Sequence, residues 1–435
     1  QSSTDSPFDD PAGFAFGDSK EGIIKCGSYV GNGDGAGPEI NLGFEPQWLL
    51  IKRSSGAEDW ILNDCIRGIT TGGNNAELFA STTDSESDVD RFSLTSTGFK
   101  ITTSSGIING NNDTYIYLAI RRTDGYVGKP ADAGTDVFAM GTATGNSGDD
   151  IDSGFPVDFG LAKRTATSES WYTSARLISG KYLYTDTTDA QDDTNYFPFD
   201  NNVGWTESLN SGYQAWMWKR HTGFDVVTEH ITNSTGQKTI KHSMNAIPEM
   251  IWQKHRGNSS EPWRVYHKGL NEGTNPHERY LTLNSAVATA NAGSGSNYWG
   301  ASGTLSTSSF ELNSASRTTG DFIFMLFSSV DGISKCGFFD GDGSTDGSNS
   351  INVGFQPRFI LIKCTTAIEH WILFDTLRGI STSADGNDSA LYLSWDNSQS
   401  TTNNWLQLTS TGWNFRSDNS VLNGSSDKYI YYAHA

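Results

Sequence analysis

The stretch that decides the fold is residues 355–379, which read FQPRFILIKCTTAIEHWILFDTLRG. An apolar run ends at Lys363, a polar link follows, and a second apolar run begins at Trp371 and ends at an Arg-Gly pair. Residues 44–68 repeat the pattern as FEPQWLLIKRSSGAEDWILNDCIRG. Two short apolar runs around a polar link predict a β-hairpin, and its recurrence indicates an internally repeated fold.

Two further copies of this skeleton occur in the middle of the chain, in more diverged form. In each copy a proline precedes an apolar run, a lysine ends it, and a tryptophan follows after seven or eight intervening residues. The pairs are Lys52 with Trp60, Lys163 with Trp171, Lys254 with Trp263, and Lys363 with Trp371. Successive lysines are 111, 91 and 109 residues apart, which predicts modules of ordinary domain size.

A second signal, an aromatic-rich apolar run, closes each copy. These runs are residues 115–120, 213–218, 322–327 and 429–433. Two signals in the same order predict four homologous modules after a polar lead-in segment at residues 1–20. The predicted modules are residues 21–122, 136–220, 224–329 and 332–435. The chain begins at Gln1 rather than methionine, so we expect it to be a piece of a longer protein.

Composition and charge restrict the class of protein. The sequence contains 47 glycines and 12 % aromatic residues, a composition that suits short strands joined by polar turns. The net charge of −20 argues against a nucleic-acid partner, which requires clustered Lys and Arg. Because no apolar run reaches 18 residues, we expect no membrane insertion. We interpret the charge as favouring solubility, with cation binding by acidic loops as the alternative.

The first module shows how the strands are spaced. Eight strands are predicted, at residues 23–30, 39–42, 47–52, 59–63, 77–81, 91–95, 99–103 and 114–121. Eight short strands in about 100 residues predict a two-layer antiparallel sandwich. The predicted fold is therefore all-β, a tandem array of four antiparallel β-sandwich modules of jelly-roll type.

The connections between modules are short. Residues 221–223 and 330–332 are three-residue joints, whereas residues 123–135 form a longer linker that contains Gly125, Gly128 and Pro130. Three-residue joints cannot act as flexible tethers, so we expect the modules to pack together or to be held at fixed angles.

The recurring lysines and tryptophans have a structural interpretation. Since they recur at the ends of apolar strands, we expect each tryptophan to be a core residue of its sandwich. Each lysine is expected to pack its aliphatic stem and keep its ammonium group in solvent.

The four cysteines are Cys26, Cys65, Cys336 and Cys364, and Cys26 and Cys336 are equivalent in modules 1 and 4. Equivalent positions in separate modules are poor disulfide partners, so we expect four reduced thiols that pack as small buried hydrophobic groups.

Two groups of residues are candidate metal ligands. Asp340, Asp342 and Asp346 lie in a Gly-rich loop that could wrap calcium, although turn formation is the preferred interpretation because the closing glutamate of an EF-hand is missing. The third module is rich in histidine, but no pair has the spacing of a helical zinc site, so packing or surface roles are expected. The histidines of the third module are His230, His242, His255, His267 and His277. We predict no cofactor, with calcium as the alternative.

Exposed aromatic rings are the candidate ligand-binding residues, because rings stack on the apolar face of a sugar. Trp395 and Trp405 flank a polar loop, residues 396–404, and are the preferred surface candidates. Trp205 and Trp413 are interpreted as core residues. Tyr29 and Trp299 remain open between the two roles.

Catalytic motifs are missing from the sequence in any fitting context. There is no nucleophile elbow, phosphate-binding loop or dinucleotide fingerprint. Carboxylates are plentiful, but nothing selects the pair that a glycosidase would require. We therefore expect a protein that is not an enzyme.

Residues 43–68 and 354–379 closely resemble a repeated module of virion structural proteins of marine tailed bacteriophages, especially those that infect cyanobacteria. Residues 137–220 and 224–329 resemble it loosely, because Arg176 and Lys268-Gly269 replace the Arg-Gly closure. The resemblance implies concanavalin-like or SPRY-like sandwiches and no catalytic residues.

The resemblance also implies a location on the virion, as a tail fibre, spike or capsid appendage. Expected partners are other virion proteins and a host-surface glycan or receptor, and a homotrimer is an open alternative although no coiled-coil heptad is visible. We expect loop-borne attachment to the host. The two alternatives are a host-glycan depolymerase and a purely architectural decoration protein.

Overall fold

The computed structural model describes residues 22–69, 74–122, 125–145, 151–194, 196–205, 209–291 and 297–435. Within these residues the strands form large and small antiparallel sheets, and the large sheets repeat one strand order in four segments. The predicted all-β class is confirmed. We refer to the four segments as modules 1 to 4; the predicted lead-in, residues 1–20, lies outside the described residues.

In the described part of module 1 there are nine strands and one short helix, Gly106–Asn109. Its large sheet has the order β1-β9-β3-β4-β5-β6, and its small sheet has the order β2-β8-β7. All eight predicted strands overlap observed ones, and β6 was not predicted. The strands are β1 (Ile24–Val30), β2 (Glu39–Asn41), β3 (Pro46–Arg53), β4 (Ile61–Asp64), β5 (Asn75–Phe79), β6 (Ser87–Val89), β7 (Phe92–Thr95), β8 (Gly98–Ile101) and β9 (Thr114–Arg121).

Module 2 is the smallest of the four. Its strands are β10 (Phe138–Thr142), β11 (Ile151–Asp152), β12 (Phe159–Arg164), β13 (Tyr172–Ala175), β14 (Tyr182–Tyr184), β15 (Gly204–Trp205) and β16 (Tyr213–Trp218). The large sheet has the order β10-β16-β12-β13-β14, and β11 pairs with β15 in the small sheet. Short 3-10 helices occur at Gly134–Asp136 and Arg176–Ile178.

Module 3 follows after the three-residue joint. Its strands are β17 (Phe224–Ile231), β18 (Lys238–Lys241), β19 (Met250–His255), β20 (Arg264–His267), β21 (Arg279–Thr282), β22 (Ala290–Asn291), β23 (Ser309–Leu312) and β24 (Gly320–Phe327). The large sheet has the order β17-β24-β19-β20-β21-β22, and β18 pairs with β23. The 3-10 helices are Leu270–Gly273, Pro276–Glu278 and Ser314–Ser316.

Module 4 reproduces the strand order of module 1. Its strands are β25 (Ser334–Asp340), β26 (Ser350–Asn352), β27 (Phe359–Cys364), β28 (Ile372–Asp375), β29 (Asp388–Tyr392), β30 (Ser400–Asn403), β31 (Leu406–Thr409), β32 (Gly412–Phe415) and β33 (Lys428–His434). The two sheets have the orders β25-β33-β27-β28-β29-β30 and β26-β32-β31.

The repeated sequence forms the central hairpin of each large sheet. In module 4, β27 and β28 pair from Phe359 opposite Asp375 to Ile362 opposite Ile372, and the same register joins β3 to β4. The closing aromatic-rich strand lies on the other side of the hairpin's first strand in all four modules. The predicted hairpin is therefore confirmed.

Both faces of the large sheet are buried in modules 2, 3 and 4. In module 4, Ile360 and Ile362 pack toward the small sheet, where they meet Trp413. Their neighbour Leu361 points to the opposite face and belongs to a different apolar cluster, which extends through the other modules. Since side chains alternate along a strand, one strand thus serves its own sandwich and an intermodule core.

Modules 2, 3 and 4 meet around a shared aromatic core. Trp218 of module 2 has its ring centroid 6.2 Å from Phe224 of module 3 and 5.5 Å from Phe359 of module 4. Phe327 of module 3 lies 4.9 Å from Tyr432 of module 4. Each of these modules therefore contacts both others, and the three form a closed ring rather than the open row that a tandem array suggests.

Module 1 lies outside the ring and is joined to it by buried ion pairs. Arg220, at the end of module 2, donates two hydrogen bonds to Glu45 of module 1. Arg122 of module 1 in turn pairs with Asp158 of module 2 at 2.7 Å. Module 1 is therefore packed against module 2, although the connection between them is the longer linker of residues 123–135.

The linker that leads into module 2 is also fixed. Thr222 Oγ1 donates to the Gly128 carbonyl at 2.7 Å, and Asn245 Nδ2 donates to the same oxygen at 3.2 Å. Gly128 has a φ of 81°, and a Cβ atom there would lie 1.8 Å from the Ser243 carbonyl oxygen. Only glycine fits this close approach, so the linker packs against module 3.

Candidate functional site

The repeated tryptophans lie at the contacts between ring modules. Each buried indole N–H donates to a main-chain carbonyl at the end of a large-sheet strand in the neighbouring module. The three hydrogen bonds are Trp171 to Tyr392 at 2.9 Å, Trp263 to Tyr184 at 2.8 Å, and Trp371 to Thr282 at 3.0 Å. We call these three contacts the ring junctions. They run from module 2 to 4, from 3 to 2, and from 4 to 3, so the ring is cyclic.

The repeated lysines occupy the same junctions. Each ammonium donates to a carbonyl that lies four residues beyond the acceptor of the tryptophan. The pairs are Lys163 with Asp396 at 2.8 Å, Lys254 with Thr188 at 3.0 Å, and Lys363 with Ala286 at 3.2 Å. The constant offset of four residues means that the three junctions share one geometry.

The lysine ammonium groups of the ring are buried, and the expectation that they lie in solvent is wrong for modules 2, 3 and 4. Lys363 also donates to the Cys364 and Glu369 carbonyls of its own hairpin, so three main-chain oxygens replace water. Burial lowers the pKa of Lys363 and of Lys254 to about 8. A buried ammonium fixes the relative position of the two modules, because it must keep all its acceptors in place.

The hairpin of module 1 has similar internal bonds, but it forms no junction with another described part of the chain. Trp60 accepts at its carbonyl from Ala80, as Trp371 does from Leu393. Lys52 donates to the carbonyls of Arg53 and Gly56 in its own hairpin. Trp60 is nevertheless 36 % exposed, so its predicted core role is wrong.

The Arg-Gly closure organises the far end of the hairpin in modules 1 and 4. Arg378 Nε donates to Asp375 at 2.6 Å, and Arg67 Nε donates to Asp64 at 2.7 Å. In module 4 the same carboxylate accepts from Trp216 Nε1 of module 2 at 3.1 Å. The closure thus adds a further polar contact between ring modules.

Three buried histidines, His221, His267 and His434, lie between modules; we call them the junction histidines. His267 accepts at Nδ1 from the amide of Gly269 and donates from Nε2 to the Tyr431 carbonyl at 3.2 Å. Burial lowers the pKa of all three to about 3. They are therefore neutral at physiological pH.

A compact cluster of buried charges lies where modules 1, 2 and 3 meet. Asp158 accepts two hydrogen bonds from Arg122 and one from the amide of Arg220. These arginines hold the pKa of Asp158 well below its usual range, although burial opposes them. Asp225, 4.0 Å from Arg220, has a pKa raised by burial to about 6. Since the charges pair with one another, we assign the cluster a role in fixing module orientation.

The two predicted surface tryptophans, Trp395 and Trp405, lie in different environments. Trp395 is 42 % exposed and stacks on His370, with ring centroids 4.8 Å apart. Trp405 is 3 % exposed and packs in the core of module 4 against Phe374, so the expectation that it lies on the surface is wrong. Trp405 directly precedes β31 of the small sheet. Trp205 and Trp413 are buried, as predicted.

Two of the three predicted aspartates form turns. Asp342 accepts from the amide of Ser344, and Asp346 accepts from the amide of Ser348, both at 2.8 Å. Asp340 instead forms an ion pair with Lys428 at 2.9 Å. Across the described ranges, no three His, Cys, Asp or Glu side chains are close enough to hold a metal ion. The five histidines of module 3 lie within these ranges.

The thiols differ in environment. Cys336 and Cys364 are buried and Cys65 is partly buried, but Cys26 is exposed, so its predicted burial is wrong. In the part of the chain that the structure describes, none of the four forms a disulfide, in line with the predicted reduced thiols. In the same part of the chain, no helix is long and apolar enough to cross a membrane.

The repeat predicted a structural role for the junction lysines and tryptophans but did not indicate their partners. The recurrence of Lys and Trp at a fixed spacing was the available signal. Their acceptors are main-chain carbonyls, which any residue supplies, so no side-chain pattern marks them. The buried charge cluster was also missed, because its members come from distant parts of the chain.

Comparison with known proteins identifies one family. The profile of a domain of unknown function (DUF7483) matches residues 9–123 and 133–435. The chain therefore belongs to this family. A search of curated proteins found no match.

Proposed function

We propose that this member of the DUF7483 family is a non-enzymatic structural protein of a bacteriophage particle. It serves as an appendage, such as a tail fibre, spike or capsid fibre, and attaches to the host surface through its loops. The observation that carries the proposal is the closed ring, in which the repeated polar side chains bind other modules rather than a substrate.

The polar groups of the repeat support a structural role. Lys363 and Trp371 have the residue types of a catalytic or binding motif, yet both are buried and bonded to main-chain carbonyls. The buried charges at Asp158 are likewise paired with arginines. A side chain that is fully engaged in packing is unavailable to a substrate, so these residues support assembly rather than turnover.

The virion location rests on the resemblance of residues 43–68 and 354–379 to phage structural modules. A rigid ring suits an appendage, because a particle that must survive outside a cell benefits from stiff connections between modules. Other virion proteins are the proposed partners. If no host ligand is found, the alternative of a purely architectural decoration protein is favoured.

Trp395 is the proposed contact with a host-surface glycan. Its exposed ring stacks on His370, and Tyr392 lies 6.1 Å away, so the ring is held in place before a ligand arrives. Stacking on a preformed aromatic surface avoids the cost of ordering a free side chain. The carbonyl of Trp395 accepts from Trp171, which also fixes its main chain.

Glycan arrays with the purified chain test the attachment role. We expect binding that falls at least tenfold in Trp395→Ala, while Leu377→Ala, a change at another exposed apolar residue of module 4, leaves it unchanged. Equal loss in both variants would contradict a role for the indole. Absence of any glycan ligand would favour the architectural alternative.

Antibody labelling of intact virions tests the location, and polysaccharide turnover tests the non-enzymatic assignment. We expect label on the particle surface and no cleavage of host envelope glycan. Reproducible cleavage by the purified chain would overturn the proposal in favour of a depolymerase. Failure to label particles of the phage that encodes the chain would overturn the virion location.

A further inference from the structure

The large sheet of module 1 has an apolar face that no described part of the chain buries. Alternate residues of its strands point away from the sandwich core and are exposed or half-buried. Ile116 is 40 % exposed and Trp60 36 %, although both lie on central strands or beside them. We call this the first-module face; it consists of Cys26, Trp48, Leu50, Lys52, Trp60, Leu62, Ile116 and Leu118. A contiguous apolar face of this kind marks an interaction surface.

The strand registers identify the counterpart of this face in module 4. Across module 1, one row of paired residues is Cys26, Leu118, Leu50 and Leu62. The equivalent row of module 4 is Cys336, Tyr432, Leu361 and Leu373. Every member of the second row is buried, and all belong to the apolar cluster that fills the ring. The first-module face is therefore equivalent to the face that modules 2, 3 and 4 bury against one another, but no other described module covers it.

Module 1 also carries the donors of a ring junction. Lys52 and Trp60 hold the positions of Lys363 and Trp371 in a hairpin of the same register. The amide of Trp60 is bonded to Ser81, as the amide of Trp371 is bonded to Ser394. The hairpin is thus in the conformation that the ring junctions use.

The acceptors of a junction are present in module 1 as well. The bond from Ala80 to the Trp60 carbonyl corresponds to the bond from Leu393 to Trp371, so Phe79 is the counterpart of the acceptor Tyr392. The lysine acceptor lies four residues beyond it in every ring junction, which is Thr83 in module 1. Thr83 is exposed and Phe79 partly so. One module therefore has both halves of the contact.

We propose that the first-module face is a trimerisation surface for copies of this chain. Three first modules assemble as modules 2, 3 and 4 do within one chain. Trp60 Nε1 donates to the Phe79 carbonyl of the next copy, and Lys52 Nζ donates to its Thr83 carbonyl. A head-to-tail contact closes into a ring when the rotation is right, and the same contact already closes at three in this fold.

The choice of occupant follows from the chemistry of the face. An apolar peptide or lipid would cover Leu50 and Leu118. It would offer no matched acceptor to the indole N–H of Trp60 or to the ammonium hydrogen of Lys52 that is left over from the bonds to Arg53 and Gly56. Another first module supplies two carbonyls at the correct offset. The equivalent face already forms an interface between modules in this fold, since the matching row of module 4 lies in the apolar cluster of the ring. The inference goes beyond the proposed function, because it holds whatever particle carries the chain.

Mass measurement of the full chain by light scattering tests the proposal. The chain has a mass of 47.3 kDa, so the expected species is three times that mass. Leu118→Arg places a charge at the centre of the face and is expected to give a monomer with an unchanged circular-dichroism spectrum. Ile368→Arg, at a residue 75 % exposed in module 4, is the matched control and is expected to remain trimeric.

A second variant protects the test against misfolding of Leu118→Arg. Trp60→Ala truncates an exposed side chain and is expected to weaken trimer formation at least tenfold in concentration while the folded module is retained. The proposal would be overturned if the wild-type chain is monomeric even at 100 times the concentration used for the variants. It would also be overturned if Leu118→Arg remains trimeric.

Thiol labelling identifies what covers the face. Cys26 is the exposed thiol among the four and lies on the first-module face, so it reports directly on burial. We expect it to be protected from an aromatic disulfide reagent in the trimer and reactive in the Leu118→Arg monomer. A monomeric wild-type chain with protected Cys26 would show instead that residues 1–21 or another part of the same chain covers the face, and would overturn the proposal.

Discussion

The ring junctions predict that one indole N–H contributes measurably to the stability of modules 3 and 4. The perturbation is Trp371→Phe, which removes the donor to the Thr282 carbonyl and replaces the indole with a smaller phenyl group. The matched control is Trp413→Phe in the same module. Both tryptophans are fully buried, but Trp413 Nε1 has no acceptor among the described residues. The two substitutions therefore lose similar apolar volume, and only the first loses a hydrogen bond.

The expected difference follows from leaving a buried carbonyl without its partner. Such a group costs about 1–3 kcal/mol, whereas the loss of indole volume is common to both variants and cancels in the comparison. Trp371→Phe should thus lower the free energy of unfolding by about 1–3 kcal/mol more than Trp413→Phe. Its effect should reach module 3, which supplies the acceptor.

Guanidinium denaturation followed by far-ultraviolet circular dichroism measures the difference, since tryptophan fluorescence would change with the substitution itself. Hydrogen exchange provides a second readout, and we expect faster exchange in modules 3 and 4 for Trp371→Phe. If the two variants are destabilised equally within about 0.5 kcal/mol, the indole bond contributes nothing. The junction would then be held by apolar packing alone.

The remaining predictions concern charge. Lys363→Met should destabilise the ring by about 3 kcal/mol in chemical denaturation, because three buried carbonyls lose their donor, whereas Lys52→Met should cost less than about 1 kcal/mol. Equal effects would refute the burial argument. Arg220→Met should cost about 3–5 kcal/mol by the same measurement, because the buried Glu45 loses both hydrogen bonds from Arg220 and keeps, among the described residues, only Arg122, 3.9 Å away; a neutral effect would show that the ion pair is dispensable. The junction histidines, with a folded pKa of about 3 against about 6.5 when unfolded, should make the protein less stable as pH falls from 6.5 toward 3, by about 2 kcal/mol each at pH 5. Asp225, whose folded pKa is about 6, opposes this by only about 1 kcal/mol, so a melting temperature that stays flat from pH 7 to 4.5 would contradict the assignment.

Local patterns were sufficient to predict the sheets. The run from Phe359 to Lys363 is apolar over the length of one strand, and the Trp371 run matches it across a polar link. Strand pairing of neighbouring segments needs no distant information, so both the hairpin and the all-β class were predictable. The loop aspartates followed the same logic, because an Asx turn is formed within three residues.

Side-chain environments were not predictable where distant segments meet. Trp395 and Trp405 flank one loop, yet the first is on the surface and the second is under a sheet. Trp60 and Trp371 occupy the same place in the same motif, yet only the second is buried. In both comparisons the local sequence is equivalent, and the neighbour that covers the ring comes from elsewhere.

The sequence by itself determined the repeat, the hairpin in each copy and the antiparallel sheets, because these depend on apolar periodicity over ten to twenty residues. Only the tertiary structure decided that modules 2, 3 and 4 close into a ring, since the junction acceptors are main-chain carbonyls that carry no sequence mark. It also decided that the ammonium of Lys363 is buried while that of Lys52 is not. The physical reason is that burial depends on a neighbouring module that covers the side chain. The hairpin has such a neighbour in modules 2, 3 and 4, but in module 1 it has none among the described residues.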